Sequence, residues 1–182
     1  MKQYLLIGCG GARDKRIHFP ASDECGPGSI EKDFSGGQLT TLDVDPESGA
    51  DIVHDLNVLP YPLADNAYDE IHAYEVLEHC GRQGDGAYFF GQFREFWRAL
   101  KPGGYMMISV PMWNDAMAFG VPDHTRVLPD CVFGFLSADY EKVHAGKQGV
   151  GNYKKLRGDM DFMPLMKQDT DTQLYVVLRA IK

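Results

Sequence analysis

The chain has 182 residues, of which 44% are hydrophobic and 24% charged, the make-up of one ordinary globular domain with enough chain for a sizeable core. Its formal net charge of −8 argues against tight binding to a phosphate backbone, which needs clustered Lys and Arg, and no apolar run approaches membrane-spanning length. Cys9, Cys25, Cys80 and Cys131 are scattered with no C-x-x-C pair, so neither a disulfide frame nor a zinc knuckle is expected.

The N-terminus runs straight into an apolar stretch, so no leader is expected and the default setting is cytoplasmic. Residues 4–8 (YLLIG) read as a short buried strand. Residues 12–37 are irregular and rich in Gly and Pro, with room for one short helix around ARDKRIH. QLTTLD and DIVHD read as the second and third strands, YDEIHAY as the fourth, and EVLEHC as a helical turn. Phe89, Phe93, Phe96, Trp97 and Leu100 share one face of a helix over 85–100, stopped by Pro102-Gly103-Gly104. YMMISVP is a fifth strand, 129–140 a helix with Pro129 in its first turn, and 153–162 and 173–181 two final strands. Lys154, Lys155 and Arg157 are expected on a solvated strand face. His79 and Cys80 are adjacent, and neighbours in one element rarely face one metal, so no metal is expected. Strands alternating with helices imply one α/β domain over 1–182. Its architecture is a doubly wound, mainly parallel sheet of about seven strands with an antiparallel C-terminal hairpin at the edge.

LLIGCGG followed about thirty residues later by LDVDP is what a βαβ unit needs to hold an adenosyl group. Glycines at 8 and 10 let the backbone approach a ligand. A carboxylate at Asp43 suits a ribose diol, whose two hydroxyls it accepts. A dinucleotide turn wants a third glycine at the sixth position, which here is Arg13, and a good helix after it to receive pyrophosphate. NAD and FAD are therefore disfavoured, and a cofactor without phosphates fits better.

LLIGCGG, TLDVDP, IVHDLNVLPYPLADNAYDEIHAYEVLEH and FREFWRALKPGGYMMISVP, in this order, resemble the class I S-adenosylmethionine-dependent methyltransferases, closest to their type 11-like branch, over residues 4 to 111. The resemblance implies S-adenosyl-L-methionine as cofactor and S-adenosyl-L-homocysteine as product. It implies that Gly8, Cys9 and Gly10 wrap the methionine part, that Asp43 binds the ribose and that Val44 covers the adenine. Asp55 and the Leu56 amide would meet the adenine edge, and Tyr74 and Glu75 would lie beside the transferred methyl. Many relatives carry an acid two positions before the first glycine, where this chain has Leu6. Arg13 is the candidate to compensate by reaching the cofactor carboxylate. Asp45 is read as capping the turn before Pro46.

Substrate residues are expected from loops beyond the C-terminal strand ends. In PMWNDAMAFGVPDHTRVLPD, His124 is the candidate base or substrate contact, and Trp113 and Phe119 the candidate lining of an apolar acceptor site. The expected activity is methyl transfer by in-line displacement to a small-molecule acceptor. The alternative is a catalytically silent cofactor-binding or partner-binding protein on the same scaffold. Nucleic acid and membrane are not expected partners, and the oligomeric state is open.

Overall fold

The structure is a computed structural model describing residues 1–17, 32–144, 146–147 and 151–182. Seven strands form one sheet: β1 (Lys2–Ile7), β2 (Gly37–Asp43), β3 (Ile52–Val53), β4 (Tyr68–Tyr74), β5 (Leu100–Pro111), β6 (Asp161–Asp169) and β7 (Gln173–Ile181). Their spatial order is β3-β2-β1-β4-β5-β7-β6. The first five run parallel, and β7 lies antiparallel between β5 and β6. The direction of winding reverses between β1 and β4, and in open sheets of this kind ligands bind at that reversal, beyond the C-terminal strand ends. Tyr4, Leu5, Leu6 and Ile7 are all buried, as a central parallel strand covered on both faces requires.

One face packs on α1 (Gly86–Ala99). The Asp85 carboxylate caps its start, accepting from the Tyr88 amide at 2.9 Å. Phe89, Phe93 and Phe96 are buried there against Leu5, Ile7, Ile71 and Ile108, and the Trp97 indole donates to the Ile181 carbonyl at 3.0 Å. The aromatic stripe of the sequence is therefore core.

The later elements depart from expectation. The single helix over 129–140 is two, α3 (Asp130–Gly134) and α4 (Ala138–His144), after a short α2 (Met117–Gly120). The break buries Leu136 completely and lets its carbonyl accept from the Phe162 amide at 3.0 Å. The strand over 153–162 begins only at Asp161. Residues Lys154–Arg157 form a helical turn, α5, entered through the Asn152 carboxamide and closed by Gly158 at φ 62°. Arg157 is not on a solvated face: it is buried and ion-paired with Glu141 at 3.1 Å.

The second face is covered differently. Tyr4, Leu6, Tyr74, Tyr105, Met107 and Val177 pack there under Ile17 and Phe34, and residues 12–17 run without helix. The helix expected around ARDKRIH is thus absent over its described residues, and the following 18–31, with Cys25, lies outside them. A buried polar chain pins the segment instead. The Arg16 and Ile17 amides donate to the Tyr74 hydroxyl, both at 3.2 Å. That hydroxyl is 2.6 Å from His72 Nδ1, and His72 Nε2 is 3.1 Å from Glu70 Oε2, which also receives the Lys15 ammonium at 2.9 Å. A tautomer with the proton on Nε2 satisfies every member, Tyr74 donating to Nδ1 and Nε2 to the carboxylate. Glu70, His72 and Tyr74 point to one face because strand side chains alternate.

Burial raises the Glu70 carboxyl, but hydrogen bonds from His72 and Lys15, with the Lys15 charge, outweigh it and hold the group at about 2. Burial keeps His72 neutral by lowering its pKa, against the Glu70 carboxylate.

Candidate functional site

The glycine turn leaves β1 at the point where winding reverses. Gly8 stands at φ 64° and its amide donates to the Leu42 carbonyl at 2.8 Å. A Cβ there would come within 2.6 Å of Val76 Cγ2, so only glycine fits. Gly10 stands at φ 50°, and a Cβ on it would meet nothing within 4 Å. The two glycines thus do different things: Gly8 lets the turn pack under the segment after β4, while the backbone at Gly10 faces open space. Cys9 between them is buried.

Asp43 ends β2 beside this turn. Its Oδ2 accepts from the Gly10 amide at 2.8 Å and its Oδ1 from the Asp45 amide at 3.0 Å. Each carboxylate oxygen has a second acceptor site, so both can still receive hydroxyls. Val44 follows with 63% of its surface exposed, an apolar plate next to a buried acid. Asp45 caps the short turn Pro46–Ser48 by accepting from the Glu47 amide at 2.8 Å. The His54 amide donates to the Asp43 carbonyl at 2.8 Å, which brings Asp55 and Leu56 to the same edge. Asp55 Oδ1 accepts from the Asn57 amide and carboxamide. The buried Leu56 offers its carbonyl to the Tyr61 and Tyr88 hydroxyls.

Two residues sit otherwise than expected. Arg13 reaches the Gly49 carbonyl at 3.1 Å and the Ala12 carbonyl at 2.9 Å, toward the connection between β2 and β3. Tyr74 turns its side chain onto the second face, where its hydroxyl belongs to the chain from Ile17 to Glu70. Alternation along β4 sends Tyr74 one way. Glu75 follows at φ 53°, a left-handed conformation that L-residues with side chains adopt at a cost. It is held there by its amide donating to the Ser109 carbonyl at 2.9 Å, and its Oε1 is buried with no hydrogen-bond partner among the described residues.

Beyond Glu75 the chain makes a tight turn, Leu77–His79. The loop after β5 folds back on it: the Thr125 and Arg126 amides donate to the Glu78 carbonyl at 2.9 and 3.2 Å. This places His124 edge-on to His79, ring centroids 4.6 Å apart, while His79 Nδ1 lies 3.2 Å from Asp123 Oδ2. Glu78 is 2% exposed, and neither carboxylate oxygen has a hydrogen-bond partner among the described residues. Burial, with the Glu75 and Asp123 charges, raises its carboxyl to about 8 against the Arg126 charge. Buried Arg126 is directed elsewhere, donating to the Leu77 carbonyl at 2.9 Å and to the Gln92 carboxamide. Sequence reasoning singled out His124 as a candidate and gave Glu78 no role. The missing signal was the fold-back of residues 123–126, which no local pattern encodes.

A cavity of about 310 Å³ opens nearby between the start of α1 and the 126–135 segment, lined by Arg82, Phe89, Phe90, Leu128, Phe135 and Tyr153 among others. It is mainly apolar, with Arg82, Asp85 and Arg126 also in its wall, and does not touch the glycine turn. Trp113 and Phe119, expected around the acceptor, are 55% and 72% exposed on the loop after β5.

Residues 24–108 match a family model described as a methyltransferase domain. No curated protein matches the chain. Among solved structures, the chain is similar to one in the complex between the Haloferax volcanii Trm112 methyltransferase activator and the putative methyltransferase, with TM-score 0.59, 13% identity, and 100% of this chain and 83% of that one covered. An S-adenosylmethionine-dependent methyltransferase from Aquifex aeolicus aligns with TM-score 0.57 at 14% identity over 99% of this chain and 82% of that one. The N-methyltransferase NodS from Bradyrhizobium japonicum WM9 aligns with TM-score 0.54 at 16% identity over 100% and 86%. At these identities the structural likenesses show the fold alone, the Rossmann-like fold that these S-adenosylmethionine-dependent methyltransferases share, and the match to a methyltransferase domain covers residues 24–108 of the chain.

Proposed function

We propose that the protein transfers a methyl group from S-adenosyl-L-methionine to a small-molecule acceptor by in-line displacement. The observation that carries this reading is the Asp43 carboxylate, buried at the end of β2 and hydrogen-bonded to the Gly10 amide. It offers its free acceptor sites beside an open, left-handed glycine backbone, and the donor set suits a ribose diol next to a cofactor without phosphates. When bound, S-adenosylmethionine supplies a methyl group activated by a sulfonium charge, and its displacement leaves S-adenosylhomocysteine.

The residues divide the work. Gly8, Cys9 and Gly10 hold the methionine part, and Asp43 with Val44 holds the ribose and one adenine face. Asp55 and the Leu56 amide meet the adenine edge. Glu75, aimed by its left-handed backbone, carries a buried oxygen without a hydrogen-bond partner among the described residues; it would lie beside the transfer point and is suited to hydrogen-bond an ammonium or hydroxyl there. Tyr74 supports this wall from behind, by holding residues 16 and 17 against the sheet. His124 is the acceptor-side residue. Most of the acceleration comes from alignment, because well-placed pairs reach high effective molarity; a proton acceptor matters only for nucleophiles that lose a proton. Trp113 and Phe119 offer apolar surface to the acceptor.

Turnover of labelled S-adenosylmethionine across a panel of hydroxyl, amine, carboxyl and thiol acceptors tests the reading. Methylated product with at least one acceptor class, abolished by Asp43→Ala, supports it. Binding of S-adenosylhomocysteine with no transfer to any class favours the silent alternative.

A further inference from the structure

We propose that Glu78, His79 and His124 form a binding site for one divalent transition-metal ion. One ligand atom from each lies within 4.8 Å of the others. Two imidazole nitrogens and a carboxylate form a set suited to Zn²⁺, Mn²⁺, Fe²⁺ or Co²⁺. Glu78 is the second, independent observation. It is 2% exposed and both its oxygens lack a partner among the described residues, and a buried carboxylate without donors is costly unless something pairs with it. A cation held by the two facing imidazoles supplies that pairing.

The surroundings are those of a metal site. His79 Nδ1 faces the Asp123 carboxylate at 3.2 Å, which leaves Nε2 as the ligating nitrogen. A carboxylate on the distal ring nitrogen is the usual way a ligating histidine is oriented and made more basic. His124 Nδ1 is buried with no hydrogen-bond partner among the described residues. Metal bonds near 2.1 Å place neighbouring ligands about 3 Å apart, so binding draws the three side chains inward. Movement is available because His79 and His124 are only half-buried and sit on a turn and a loop. Three protein ligands leave coordination positions open, and the partial exposure of His79 and His124 puts those positions within reach of an incoming molecule.

The use of the ion on an acceptor, unlike its binding, rests on the methyl-transfer reading. The site lies one turn beyond Glu75, so the ion would hold an acceptor through an oxygen or nitrogen donor and lower the pKa of that donor. His124 would then act on the acceptor as a ligand rather than as a free base.

The test is a titration of chelator-treated protein with Co²⁺, read by visible absorption, and with Zn²⁺, read by calorimetry, both without S-adenosylmethionine or its product. Saturation at one equivalent is expected, with Asp123→Asn weakening binding about tenfold and Glu78→Gln and His124→Ala weakening it further. Circular dichroism checks the fold of each variant. Mn²⁺ added to the unmodified protein should broaden the His79 and His124 ring resonances ahead of those of His54 and His144, a measurement that needs no variant. Absence of saturable binding, equal binding by the Glu78→Gln and His124→Ala variants, or uniform broadening of the histidines would overturn the site. Because these readouts involve no methyl donor, a failure of S-adenosylhomocysteine binding and a failure of metal binding remain separate results.

Discussion

The Asp43 carboxylate accepts a hydrogen bond from the Gly10 amide at 2.8 Å, across a sequence separation of 33 residues. One acid therefore fixes the tip of the glycine turn and keeps further acceptor sites, which the proposed function assigns to a ribose. Structure and binding are coupled at this position, and its substitutions should show both effects together.

Asp43→Ala removes charge-assisted acceptors worth about 1.5–3 kcal/mol each. S-adenosylhomocysteine affinity should fall by about 100-fold or more in calorimetry, with a lower melting temperature. Asp43→Asn keeps one acceptor oxygen and should fall between the two. An Asp43→Ala variant that binds as tightly as the parent would remove the ribose role.

Glu75 holds a backbone conformation that favours glycine. A residue with a side chain in this region stores about 1 kcal/mol or more. Glu75→Gly should therefore be more stable in urea than Glu75→Ala by about that amount, while both lose affinity for the cofactor. Equal stabilities would mean that the turn relaxes.

The Tyr74 hydroxyl receives the Arg16 and Ile17 amides and meets His72. Tyr74→Phe leaves those groups unpaired, at about 1–3 kcal/mol for a buried polar group that loses its partner. Amide exchange at residues 16 and 17 should accelerate more than exchange in β5. Unchanged exchange would show that the segment is held by Ile17 and Phe34 alone.

Glu70 sets the acid limb of stability. Its folded value of about 2 lies below the ordinary carboxyl value of 4.5. A depressed folded value contributes stability that is fully present above the unfolded pKa and is lost as pH falls from there through the folded pKa. Chemical denaturation between pH 5 and pH 2 should show this loss, and Glu70→Gln should be less stable at neutral pH with a flatter acid profile. A parent protein whose stability is flat over the same range would contradict the pairing of Glu70 with Lys15 and His72.

What the sequence made legible follows the range of the forces involved. The glycine turn, Asp43 and the aromatic stripe of α1 were readable because backbone approach, strand ends and helical periodicity are local. The strand placed at 153–162 was misread: Tyr153, Leu156 and Met160 stand at i, i+3 and i+7, a helical spacing, and the Arg157–Glu141 pair ties the helical turn α5 to α4 through tertiary contact. Glu70 and His72 lie within the predicted strand YDEIHAY, whose local pattern names no partner for them, yet they anchor a segment that has no helix over residues 12–17. Leu6, where relatives often carry an acid, fits that cover, because it packs on the second face with Ile17 and Phe34. Arg13 was read as reaching the cofactor carboxylate, but the carbonyl of Gly49 lies within its reach.

The most direct test of the account is calorimetric titration of the full chain with S-adenosyl-L-homocysteine, alongside NAD as the competing adenosyl ligand. The account predicts saturable binding of S-adenosylhomocysteine at one site per chain, displaced by S-adenosylmethionine, and no heat with NAD. Binding of NAD at comparable affinity, or no binding of S-adenosylhomocysteine by folded protein, would contradict it.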